Sequence, residues 1–95
     1  RMKRLKNVRQ GKTRWMVVVY EPGKIQGYDD AHVALVYSCF VTAVRGTTVH
    51  YRNGAGPYIS GREWFLKNTE PTFRKALSKG RDAIAAIDAA MKEQQ

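Results

Sequence analysis

Between Trp15 and Tyr20 the chain runs Trp-Met-Val-Val-Val-Tyr and then stops at Glu21-Pro22-Gly23. A run this short, β-branched and aromatic and closed by a turn, predicts a strand. Lys24 to Asp30 is polar and turn-like, and reads as an extension of a hairpin loop. From His32 to Val44 the pattern becomes apolar again. Val33, Leu35, Tyr37, Cys39 and Val41 fall on one pleat face, and Ala34, Val36, Ser38, Phe40, Thr42 and Val44 on the other. Both faces are largely apolar, as expected of a long central strand covered on both sides over part of its length. Arg45-Gly46 interrupts the run before Thr47 to Arg52 resumes it, which predicts a tight hairpin into an antiparallel third strand. The stretch from Asn53 to Gly61 is dense in Gly, Pro and Asn and reads as a loop.

Beyond that loop the period changes. Ser60 and Glu63 stand at capping-box spacing just before Trp64-Phe65-Leu66, which predicts a short helix starting there. Thr69, Glu70 and Pro71 have the chemistry of a second helix start near Glu70. Phe73, Ala76, Leu77, Ile84, Ile87 and Met91 then form one stripe at helical period. Gly80 lies on the same stripe and costs a helix interior about 1 kcal/mol relative to Ala. Because the phase survives from Leu77 to Ile84, one helix approaching the sheet closely at Gly80 is expected. The predicted fold class is α+β: a three-stranded antiparallel sheet packed on one face by a long C-terminal amphipathic helix, with a short extra helix before it.

At 95 residues the chain has room for one hydrophobic core. Charge divides it unevenly. Residues 1–14 hold seven of the 17 basic groups and none of the eight acidic ones. A run of like charge repels itself until an anion neutralises it. The expected organisation is therefore a flexible basic N-terminal arm over residues 1–14 and a single α+β domain over residues 15–95. The plainer account of the arm is a solvated terminus that aids solubility. Arg1 precedes Met2 and is given no role.

No apolar run approaches the roughly 20 residues of a membrane-spanning helix. With Cys39 the only cysteine and no apolar segment behind the basic start, no internal disulfide framework or secretory leader is expected. A cytoplasmic location fits best.

Catalytic chemistry is thinly represented. His32, Cys39 and His50 are far apart and lack the paired spacings of zinc sites, and Cys39 in an apolar strand reads as core. Asp29-Asp30 has the character of a turn more than of a cation site. Gly11-Lys12-Thr13 resembles the end of a phosphate-binding loop, but Lys6 stands where the first glycine would be needed. Gly54-x-Gly56 follows a strand, yet Ile59 replaces the third glycine of a dinucleotide fingerprint. No enzyme activity, cofactor, metal or small-molecule substrate is expected.

Charge combined with aromatics points elsewhere. Arg14-Trp15 joins the arm to the first strand, and Arg45, His50, Tyr51 and Arg52 surround the second hairpin. Such groups can follow a phosphate backbone or stack on bases, although any one aromatic in a small chain can equally be core. The expected function is nucleic-acid binding with little sequence preference, DNA before RNA, through Lys3, Arg4, Lys6, Arg9, Lys12, Arg14, Arg45 and Arg52. The alternative is a small adaptor or inhibitor of the mobile-element type that binds an acidic surface of a host protein. Either could act as a monomer or a homodimer, and neither needs a membrane.

Overall fold

The structure is a computed structural model that describes residues 8–54 and 56–94. Its sheet has four strands, β1 (Thr13–Tyr20), β2 (Val33–Arg45), β3 (Thr48–Asn53) and β4 (Gly56–Gly61), paired antiparallel in the order β1-β2-β3-β4. Two helices follow, α1 (Arg62–Asn68) and α2 (Phe73–Glu93). The α+β class with a long C-terminal helix therefore stands, and the strand count expected from the sequence is corrected from three to four.

The added strand, β4, lies in the stretch that reads as a loop. Gly56 at φ 134° takes a backbone conformation open mainly to glycine and lets the chain turn back beside β3. Pro57 is tolerated because β4 is an edge strand, where a missing N–H need not break the ladder. The capping-box reading is also overturned. Ser60 belongs to β4, and its Oγ lies 3.2 Å from the Tyr51 hydroxyl; the N-cap of α1 is Gly61, with no side-chain cap. Likewise α2 starts later than expected. Thr72 caps it, its hydroxyl accepting from the Lys75 N–H at 3.1 Å.

Strand register sorts the side chains onto two faces. Arg14 opposite Cys39, Met16 opposite Tyr37 and Val41 opposite Tyr51 define the first face; Val17 opposite Val36 and Phe40 opposite Arg52 define the second. On the first face Val8, Cys39, Val41, Val49, Tyr51 and Phe65 form the buried cluster, with Met16, Val44 and Leu66 packed against it; the register shift between Val41 and Ala43 brings Val44 to this face and not to the one its spacing predicts. α1 supplies Phe65 to this cluster, with its ring 4.8 Å from that of Tyr51.

The second face receives α2, over β1 and β2. Ala76 and Gly80 are its buried residues, while Phe73 and Met91 at the ends of the stripe are 48% and 50% exposed. α2 is continuous through Gly80, as the unbroken phase implies. A Cβ built there would lie 2.9 Å from both Ala34 Cβ and Val17 Cγ2. Neither neighbour can yield easily: Ala34 Cβ moves only with the backbone, and valine is stiff at χ1. We expect Gly80→Ala to destabilise the protein by about 1 kcal/mol, because an overpacking cost of about 1–3 kcal/mol exceeds the helix-propensity gain of about 1 kcal/mol. Urea unfolding tests this; an unchanged or raised midpoint would mean that the strands give way.

The connection between the helices runs along the outer edge of β1. Trp15 N–H donates to the Glu70 carbonyl at 2.8 Å, and Glu70 N–H donates back to Trp15 at 2.7 Å. This exchange is an antiparallel bridge that ties the connector to β1 as a short extra piece of sheet.

Candidate nucleic-acid interface

The basic residues singled out in the sequence have different fates. Lys3, Arg4 and Lys6 lie outside the described residues. Arg9 and Lys12 are exposed, but the backbone carrying them is docked. Val8 is buried in the core, Gly11 N–H donates to the Val41 carbonyl at 2.8 Å, and Val41 N–H donates to Lys12 at 2.9 Å. The boundary drawn at residue 14 therefore falls inside β1, and the chain is already part of the folded domain at Val8.

Arg14 departs furthest from its expected role. It is 7% exposed, with Nε donating to Thr69 Oγ1 at 2.6 Å and Nη2 donating to the Thr69 carbonyl at 2.8 Å. Desolvation lowers its pKa, and the nearby Glu70 charge partly offsets that effect. Its register puts it on the core face opposite Cys39, so its charge is directed at the α1–α2 connector and is not presented to a partner. Tyr51 is likewise withdrawn, at 5% exposure.

Arg45 and Arg52 remain exposed, on the part of the second face beside α2. Phe40 and Arg52 are paired across β2 and β3, with the guanidinium carbon 5.9 Å from the ring centroid, a cation–π contact that leaves Phe40 39% exposed. Half-buried His50 follows on β3, paired with Ala43 on one side and with the 66%-exposed Ile59 on the other. Arg45 and Thr48 complete the row. Phe40 and Ile59 were missed as members of this surface. The signal was the register of β2 with β3 and of β3 with β4, which sequence periodicity alone does not supply.

The electrostatics are one-sided. All eight carboxylate side chains are at Glu21, Asp29, Asp30, Glu63, Glu70, Asp82, Asp88 and Glu93, so none lies in a strand. α2 also opens without an acidic residue in its first turn and carries Arg74 and Lys75 there. A row of aromatic, imidazole and guanidinium groups on four strands without carboxylates combines positive charge with ring faces of the kind that can stack.

The first face contains an opening. A cleft of about 400 Å³ lies beyond the cluster around Phe65, lined by Met16, Val18, Tyr20, Tyr37, Asn53 and Tyr58 among others. The Tyr20 and Tyr37 hydroxyls are 2.9 Å apart, and this hydrogen bond is the main cause raising the Tyr37 pKa. The lining includes no Asp, Glu, Lys, Arg or His side chain.

Cys39 is buried, and desolvation pushes its thiol pKa up, the opposite of what an activated nucleophile requires. Among the described residues there is no group of three or more His, Cys, Asp or Glu side chains able to hold a metal, and no helix is long and apolar enough to cross a membrane. The fold defines an α+β domain with an antiparallel meander between two helices. No protein family matches the chain, and no curated protein or solved structure is significantly similar to it.

Proposed function

We propose that the protein binds nucleic acid with little sequence preference, using the second sheet face around Phe40, Arg45, His50 and Arg52 together with the basic N-terminal residues. The observation that carries this reading is the absence of carboxylates from all four strands, combined with the exposed Phe40–Arg52 pair. The arginines would contact phosphates, and Phe40 and His50 would lie against sugars or unpaired bases. Arg14 has no part in this version of the site.

Fluorescence anisotropy with duplex and single-stranded oligonucleotides over a salt series tests the proposal. Replacing both Arg45 and Arg52 with Gln should weaken binding and make the log–log salt slope on duplex DNA shallower by up to about 2 units, at roughly 0.9 per lost phosphate contact. An unchanged slope would remove this face from the site. Deleting residues 1–7 removes four basic groups and should flatten the slope further; a longer deletion would take the buried Val8 with it.

A protein partner is the second reading, supported by the uncharged tyrosine-lined cleft on the first face. Failure to bind any oligonucleotide near physiological salt would favour it. Binding to an acidic protein surface would show a gentler salt dependence, because no condensed counterions are released.

A further inference from the structure

We propose that β4 is a dimerisation edge, pairing antiparallel with β4 of a second copy about a two-fold axis at Ile59. The inference does not rest on nucleic-acid binding, although Ile59 borders that surface. Of the two sheet edges, β1 carries the bridge to Glu70, whereas among the described residues β4 has no strand on its outer side.

The orientation of its backbone groups follows from two contacts. The His50 carbonyl accepts from Thr42 Oγ1 on β2, so His50 directs its backbone groups away from β4. Arg62 N–H donates to the Thr47 carbonyl at 2.7 Å, extending the inward-facing set of β4 through Arg62. Backbone direction alternates along a strand. Tyr58, Ser60 and Arg62 therefore face β3, and Pro57, Ile59 and Gly61 face outward.

That outward set is self-complementary. Two copies centred on Ile59 exchange N–H···O=C bonds between the two Ile59 residues, and each Gly61 N–H meets the Pro57 carbonyl of the other copy. Proline lacks only the reciprocal donor. In this register the Ile59 side chains, 66% exposed in the single chain, become direct neighbours, and Tyr58 of each copy stands opposite Ser60 of the other. The strand Gly-Pro-Tyr-Ile-Ser-Gly carries no charge, so the contact puts none of the chain's net charge of +9 at its centre. A two-fold perpendicular to the sheet keeps like faces on the same side.

A six-residue edge is at the small end of interface sizes, so assembly should depend on concentration, with dimers appearing on the order of 100 µM and dissociating on dilution. Sedimentation equilibrium of the intact protein tests this. Added salt should strengthen the dimer by screening repulsion between the copies, the opposite sign to nucleic-acid binding. Ile59→Lys places two like charges opposite each other and should leave only monomer, with the thermal midpoint of the exposed site little changed. In the wild-type protein the amide protons of Ile59 and Gly61 should exchange several-fold more slowly at high concentration than at low. A monomer up to about 1 mM, a dimer that persists in Ile59→Lys, or concentration-independent exchange at both amides would each overturn the proposal.

Discussion

Phe65→Ala should lower the stability of the domain by about 3–5 kcal/mol, the usual cost of truncating a buried phenylalanine. The ring is fully buried, packs 4.8 Å from Tyr51, and shares one cluster with Val8, Cys39, Val41 and Val49. α1 has only seven residues and would not hold together alone, so this side chain is also what keeps the helix on the sheet. Domains of this size have about 5–15 kcal/mol in all, and the variant would retain a fraction of that margin. Chemical denaturation measures the loss directly. A cost below about 1 kcal/mol would mean that the site collapses around the cavity or that α1 contributes little to the core.

Arg14→Met should cost about 2–4 kcal/mol despite replacing a charge with an apolar side chain of similar length. Burial does oppose the cation, which is why its pKa falls, and removing the charge relieves that penalty. The substitution also strips two donors from Thr69, whose carbonyl then lacks the guanidinium in a buried setting. Hydrogen bonds to charged groups contribute about 1.5–3 kcal/mol each, so losing both outweighs the relief. Arg14→Lys should recover only part of the loss, because one ammonium cannot reproduce the planar fork that meets the hydroxyl and the carbonyl together. Equal stability of Arg14→Met and wild type in urea would show that desolvation cancels the bonds. Neither variant should alter the salt slope for nucleic acid, since Arg14 is turned away from the proposed surface.

The two long strands and the long helix were legible because each repeats its signal many times. Val33 to Val44 carries apolar residues on both pleat faces and is covered in part on both, by the Phe65 cluster on one side and α2 on the other. β4 was not legible, since Gly54, Gly56, Pro57 and Gly61 are the residues of a loop and also those of a tight hairpin leading to an edge strand. Ser60 had the right spacing for a cap, but its hydroxyl meets Tyr51 across the sheet. Thr69 has the chemistry of a helix start; it instead donates to the Phe65 carbonyl at 2.6 Å and receives Arg14. In each case a local motif lost to a partner distant in sequence.

The proposed site divides in the same way. Arg45 and Arg52 could be selected by charge alone, and both are exposed. Arg14 could not be told from them, because its burial depends on a connector 55 residues away. Phe40 became visible only once the register set it beneath Arg52.

The bridge between Trp15 and Glu70 also bears on how copies of this chain can aggregate. A contact in which β4 of one molecule joined β1 of the next would be head-to-tail and would repeat without limit, producing a filament. The connector occupies backbone groups of Trp15 on that edge and so obstructs the receiving end of such a chain. Loosening it, as Arg14→Met would, should therefore favour fibrous precipitate at high concentration even under conditions where most molecules stay folded.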